Sequence, residues 1–253
     1  MVIKTRGIVL RAIKYSETSV IADIFTEDFG LRSYIISGVR ATKSKVAAGL
    51  LQVMSLVEIV GYEKAEKLNR LTEVRAAHVY TTLPFEMHRV SVGLFIAEVA
   101  RRTIRGSEEN RSLFDLLFDF FKFLDQTDGS VANLHLAFLV ELSGHFGFRP
   151  EENEEEFYEE EELIFDLREG LFLPYYADED ENGVEIPLEP QFLRADLTTL
   201  LRGFLRTPWH ESAKIKMNRD DRRALITELL RFYQWHLEGF PDIQSFKILQ
   251  EIL

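Results

Sequence analysis

Apolar and polar positions follow a short period over the first 80 residues and a longer one afterwards. Residues 5–14, 19–26 and 31–37 are rich in Ile, Val, Leu and Thr, parted by Tyr15-Ser-Glu-Thr18 and by Asp28-Phe-Gly30. That pattern predicts three short β-strands. Residues 54–62 and 71–79 add two more, with the polar, turn-like stretch 63–69 between them. Five strands in so short a span predict a closed barrel of the oligonucleotide-binding type, because closure removes exposed edges. A β-sandwich fragment or an SH3-like barrel would have the same strand count.

The period changes after Pro84. Val92, Phe95, Ile96, Val99 and Ala100 recur at helical spacing within 85–105, and Gly106-Ser107 interrupts them. Leu113, Leu116, Leu117, Phe120, Phe121 and Leu124 mark a second helix over 113–124. A third over 131–146 ends at Gly147, with Pro150 just beyond. Helical patterns return at 191–205, 220–238 and 243–253. Asn218 or Asp220 is placed to cap the long one, whose inner face offers Leu225, Leu229, Phe232 and His236. Residues 164–167 and 171–173, around Arg168-Glu-Gly170, predict a small hairpin. The expected fold is therefore α+β: a barrel domain over 1–80, then a helical domain over 81–253 that carries an acidic insert at 151–190.

Composition narrows the class. Of 253 residues 46% are hydrophobic and 20 are Phe, enough for a substantial core. No apolar run reaches the length of a membrane span, and Lys4 and Arg6 are not followed by a signal-type apolar stretch. The expected location is cytoplasmic, without membrane partners. With no cysteine, disulfides, thiolate metal sites and Cys nucleophiles are excluded. The six histidines show no metal-ligand spacing, and neither a Walker loop nor Gly-x-Ser-x-Gly occurs. An enzyme is not expected, nor a cofactor.

The net charge of −12 argues against a nucleic-acid partner until its distribution is considered. Residues 1–80 carry +4, 81–150 carry −2, 151–190 carry −16 and 191–253 carry +2. Nine of the twelve positions 151–162 are carboxylates, a block that repels itself. At about 0.1 M salt charges are screened beyond about 10 Å, so a remote acidic block need not cancel a basic face.

Binding a nucleic-acid strand requires positive charge along its backbone and aromatic platforms for its bases. The barrel offers Arg6, Arg11, Lys14, Arg32, Arg40, Lys43 and Lys45, with Tyr15, Tyr34 and Tyr62 as stackers. Strand alternation puts only about half of these on one face. Arg40, Lys43 and Lys45, among Gly, Ala and Ser, form the best phosphate-meeting loop. A second basic group is Lys214, Lys216, Arg219, Arg222 and Arg223, which Asp220 and Asp221 are placed to pair locally. Arg101, Arg102 and Arg105 close the first helix, where cations complement the helix dipole. Asp178-Glu-Asp-Glu-Asn-Gly183 with Glu189 has the spacing of a calcium loop, but Glu185 and Pro187 depart from it and no helix leads in. A metal is therefore not expected there.

Together these segments resemble the RecO family of bacterial DNA repair proteins. The resemblance rests on Thr5-Arg-Gly-Ile-Val-Leu-Arg11, Tyr15-Ser-Glu-Thr18 with Ile24-Phe-Thr26, Phe29-Gly-Leu31, and Ser37-Gly-Val-Arg40 with Lys43-Ser44. It extends through Leu50-Leu-Gln-Val53, Phe146-Gly-Phe-Arg-Pro150, Phe165-Asp-Leu-Arg-Glu-Gly-Leu-Phe172, Tyr233-Gln-Trp-His-Leu237 and Ser245-Phe-Lys-Ile-Leu249. None of these is specific alone; their order and spacing are.

The resemblance implies an oligonucleotide-binding barrel followed by a helical domain. It also implies a nucleoid-associated mediator that binds single-stranded DNA, with double-stranded DNA as a further ligand, and anneals complementary strands. Its implied partners are RecR, the acidic C-terminal tail of single-strand-binding protein, and RecA indirectly. By analogy with such a tail, Arg101, Arg102 and Arg105 beside an apolar stripe are its candidate site. Many members carry four zinc-binding cysteines between the Gly-Phe-x-Pro turn and the late hairpin. Here residues 151–173 hold neither Cys nor His, which leaves Phe165, Leu171 and Phe172 to hold the hairpin by apolar contact. A different class of reading is a protein-interaction adaptor with little intrinsic DNA affinity, its acidic insert repelling phosphates.

Overall fold

The five N-terminal strands close on themselves. β1 (Val2–Lys14), β2 (Val20–Thr26), β3 (Gly30–Ile36), β4 (Leu56–Tyr62) and β5 (Asn69–Ala76) form a closed barrel in the order β1-β2-β3-β5-β4. That is the five-stranded oligonucleotide-binding arrangement. The computed structural model describes residues 2–37, 48–62, 69–106, 108–152, 162–175 and 188–253.

One long strand makes closure possible. β1 pairs with β4 through Val2–Ile8 and with β2 through Gly7–Lys14. The register slips between Val9 and Arg11, leaving Leu10 as the extra residue of a bulge, which bends the strand from one neighbour to the other. A short parallel pair, Tyr34 with Asn69 and Ile35 with Arg70, joins β3 to β5 and completes the ring. Ile3, Val9, Ala22, Ile24, Tyr34, Ile36, Val57, Ile59, Leu71 and Val74 fill the interior, joined by Leu51 from a 310 turn.

Two compact units are present, Met1–Asp128 with Ile243–Ile252, and Gly129–Asp242. The change from strands to helices falls near residue 81, whereas the units divide between Asp128 and Gly129. In the first unit, α1 (Met87–Thr103) and α2 (Arg111–Gln126) join the barrel. The expected apolar face of α1, Val92, Phe95, Ile96, Val99 and Ala100, is wholly buried. Asn110 caps α2, its Oδ1 accepting from the Leu113 N–H at 3.0 Å. The turn from barrel to helix is held by Asp125 of α2, which accepts backbone N–H groups of Thr81, Thr82 and Leu83 at 2.9–3.0 Å.

In the second unit, α3 (Leu134–His145), α4 (Ala195–Arg206) and α5 (Arg219–His236) accompany a three-stranded sheet. Its order is β7-β6-β8, from β6 (Leu163–Asp166), β7 (Leu171–Pro174) and β8 (Phe192–Leu193). The expected hairpin thus gains a third strand, taken from the start of the helix expected over 191–205. Phe192 and Leu193 pair with Asp166 and Phe165, and the helix begins only at Ala195. Phe165 and Phe172 are buried at a ring separation of 4.8 Å, but Leu171 points outward and is 47% exposed, so it does not hold the hairpin. Asn218 caps α5, accepting from Asp221 N–H at 2.8 Å. The Tyr233 hydroxyl of α5 donates to the Leu139 carbonyl of α3 at 2.7 Å, and His236 stacks on Phe148. The last helix, α6 (Ser245–Ile252), belongs to the first unit, where Glu98 of α1 accepts from Gln244 and Ser245 N–H and from the Ser245 hydroxyl.

Candidate nucleic-acid interface

The bulge at Leu10 decides where the barrel's arginines point. Before it Val9 faces inward opposite Ile24; after it Arg11 lies opposite Asp23 on the outer face. Arg11 Nη1 is 3.5 Å from Asp23 Oδ2. Lys14, the last residue of β1, is exposed at the rim of the inward register. Arg32 sits opposite Ile24, half-buried, with Nη1 3.5 Å from the Leu31 carbonyl. The three therefore do not share one face. Arg40, Lys43 and Lys45 lie outside the described residues, as does the stretch 178–187 with its calcium-like spacing.

Arg6 is not part of a strand track. It forks onto Glu27, with Nε and Nη2 donating at 2.7 and 2.9 Å, and its guanidinium lies over the rings of Phe114 and Phe118. Arg111 of α2 reaches the same carboxylate at 2.6 Å. The Arg6 fork and these charges hold the Glu27 carboxyl below its usual range in spite of burial. The group joins strand to helix. Tyr34 is fully buried in the barrel core and cannot stack on a base, so only Tyr15 and Tyr62 remain exposed of the three. Alternation identifies the two faces of a strand without saying which one turns into the barrel, as at Tyr34, or which one a helix covers, as at Arg6.

The helices cover part of the outer surface of β2. Arg101 of α1 donates from Nε to Asp23 Oδ2 at 3.1 Å, and Phe114 of α2 meets Phe25 at 6.0 Å between ring centres. The Ser33 hydroxyl donates to the other Asp23 oxygen at 2.7 Å. Of the proposed tail-binding group, Arg101 is thus engaged within its own unit, while Arg102 and Arg105 are exposed. In the second basic group, Lys214 pairs with Glu211 at 2.7 Å. Arg222 donates from Nε to Asn133 Oδ1 at 3.0 Å, and Asn133 in turn donates to the Ser212 and Ile215 carbonyls. Arg222 is a structural residue; Lys216 and Arg219 are exposed.

Strand register brings together a pair that sequence reading does not. Tyr62 on β4 lies opposite Arg70 on β5, both exposed, with Ile35 of β3 beyond. Arg70 enters no sequence motif, and its place is set by the bulge that leaves Thr72 extra on β5.

Zinc does not fit the small sheet. Residues 151–173 supply no Cys or His, and Asp166 is committed to its own turn, accepting Arg168 and Glu169 N–H. Among the described residues no group of three or more His, Cys, Asp or Glu is placed to hold a metal, and no helix is long and apolar enough to cross a membrane.

Two family models match the chain, "Recombination protein O N terminal" over residues 1–80 and "Recombination protein O C terminal" over residues 84–242. The chain belongs to the RecO family. Its relatives include the DNA repair protein RecO of Christiangramia forsetii, 32% identical over 254 residues, and that of Phocaeicola vulgatus, 30% identical over 253. The RecO of Bacteroides fragilis is also 30% identical. Each alignment covers all of this chain and 99% of the relative. The family's role is in DNA repair and recombination, and the closed barrel of this RecO-family chain has the oligonucleotide-binding strand order.

Proposed function

We propose that this chain is a non-enzymatic recombination mediator that binds single-stranded DNA through its barrel and anneals complementary strands. In this reading it acts with RecR to help RecA onto DNA covered by single-strand-binding protein. The observation that carries the reading is a closed oligonucleotide-binding barrel in a chain matched to the RecO family across both parts. Arg11, Lys14, Arg32, Arg40, Lys43 and Lys45 supply phosphate contacts, the last three in the stretch that leaves β3. Duplex DNA is bound by the same charges, more weakly. Arg102 and Arg105, with Arg101 behind them, form the basic site for the acidic tail of single-strand-binding protein.

An annealing assay with two complementary labelled strands coated with single-strand-binding protein tests this. The protein should accelerate annealing, and Arg40→Glu/Lys43→Glu/Lys45→Glu should abolish most of the acceleration. Annealing at the uncatalysed rate with the unaltered protein would refute the mediator reading.

A further inference from the structure

Two arginines of α4 converge on one carboxylate from a distant part of the second unit. Arg202 and Arg206 lie one helical turn apart. Each donates its Nε to Glu152, Arg202 to Oε1 and Arg206 to Oε2 at 2.7 Å. The Glu152 side chain is 11% exposed, while that of Arg206 is 54% exposed. Burial pushes the Glu152 carboxyl up, but the hydrogen bonds and charges of the two arginines outweigh it and hold it below its usual range. Other ion pairs of this unit join near neighbours in sequence: Arg194 with Asp196, Lys214 with Glu211 and Arg231 with Glu228. Glu152 instead lies 50 positions from Arg202 and 54 from Arg206.

The chain does not need this contact to stay in place. Pro150 is buried, Arg149 pairs with Glu141 at 3.0 Å, and Glu151 bridges to Leu171 of β7. The effect of the Glu152 contact is electrostatic. It neutralises a carboxylate at the start of a stretch with nine carboxylates in twelve positions, and it occupies two guanidiniums. With Glu152 removed, α4 would present two guanidiniums one turn apart, a donor arrangement that suits phosphate oxygens as well as carboxylate. A lone carboxylate from another protein has no advantage over Glu152, which is tethered and so held at high effective concentration. A nucleic-acid strand differs, because it presents successive phosphates and releases counterions at each one neutralised.

We propose that Arg202 and Arg206 form a phosphate-binding fork on the second unit which Glu152 holds closed, so that this carboxylate is an internal competitor of the DNA strand. This rests on the DNA-binding reading above and adds to it an autoinhibitory contact outside the barrel. A strand engages the fork only by displacing Glu152, and the second unit therefore adds little affinity until that exchange occurs.

The test titrates a labelled single strand of about 30 nucleotides across a salt series with the full chain and its variants, each checked for folding by urea denaturation. Glu152→Gln should bind about threefold or more tighter than the unaltered protein at low salt. Its plot of log affinity against log salt should steepen by about 1.4, as two added phosphate contacts on a single strand require. Glu151→Gln removes the same charge from the exposed neighbouring residue and should change neither quantity. Adding Arg202→Ala and Arg206→Ala to Glu152→Gln should abolish the gain. Unchanged affinity in Glu152→Gln, with or without a loss of stability, would overturn the competitor and leave the contact a structural clamp. A gain that survives loss of both arginines, or that Glu151→Gln matches, would overturn it too. So would a gain confined to an acidic peptide offered as the probe. Failure of both the unaltered protein and Glu152→Gln to bind the strand at low salt would overturn the DNA-binding reading itself, and the competitor with it.

Discussion

Arg101 on α1 donates its Nε to Asp23 Oδ2 on β2 at 3.1 Å, across 78 positions of sequence. The contact fixes a helix against the outer wall of the barrel and neutralises a carboxylate that would otherwise repel a strand. Burial pushes the Asp23 carboxyl up, but the hydrogen bonds of Ser33 and Arg101 and the charges of Arg101 and Arg11 outweigh it and leave it below its usual range.

A group depressed in this way contributes stability above its unfolded value, about 3.9, and loses it as pH falls through the lower folded value. Thermal melts should therefore show the protein losing stability below about pH 4. Asp23→Asn should melt lower at neutral pH and lose less on acidification. Arg101→Ala should cost roughly 1–3 kcal/mol at neutral pH. Parallel pH dependence in Asp23→Asn and the unaltered protein would show that this pair does not contribute.

Asp125 is 2% exposed and accepts three consecutive backbone N–H groups, with His78 Nε2 3.1 Å from its Oδ2. Burial opposes its charge, and these bonds together hold the carboxyl below its usual range. Asp125→Ala should cost about 3 kcal/mol, because three donors at Thr81–Leu83, the last of them in a buried residue, lose their shared acceptor. Urea denaturation measures this; a loss under 1 kcal/mol would contradict it.

Glu98 serves as the cap of α6, accepting at 2.8 and 3.1 Å from the backbone at Ser245 and Gln244. Glu98→Ala should speed hydrogen exchange at residues 246–252 by about tenfold while leaving the barrel amides protected. Uniform acceleration throughout the first unit would mean that α6 does not open separately.

Gly61 on β4 lies beside the β5 bulge, and a Cβ there would come within 2.7 Å of the Arg70 carbonyl oxygen. Gly61→Ala should destabilise the barrel by about 1–3 kcal/mol, since the obstacle is backbone. It should also disturb the register that sets Arg70 beside Tyr62. Unchanged melting would show that the strand shifts at no cost.

Much of the fold was legible because the periods are clean. The five strands and six helices lie within a few residues of where alternation and helical spacing put them. The exceptions have physical causes. Phe192-Leu193 extends the apolar pattern of α4, and only pairing with β6 makes it a strand. α6 reads as the end of the helical region, yet the carboxylate of Glu98 anchors it to the first unit. The site was less legible. A basic residue on a strand or helix can be a ligand contact or a clamp, and partners distant in sequence decide: Glu27 and Phe118 claim Arg6, and Asn133 claims Arg222. Tyr34 and Tyr62 look alike along the chain, but one fills the core and the other lies outside it.

Single-stranded DNA binding through the barrel is the activity proposed for this acidic chain. Fluorescence anisotropy of a labelled single strand of about 30 nucleotides, titrated across a salt series, tests it most directly. Binding should weaken steeply with salt, as released counterions require, and Arg40→Glu/Lys43→Glu/Lys45→Glu should both weaken it and flatten the slope. No binding at low salt would refute DNA binding by the barrel and favour a protein-interaction adaptor.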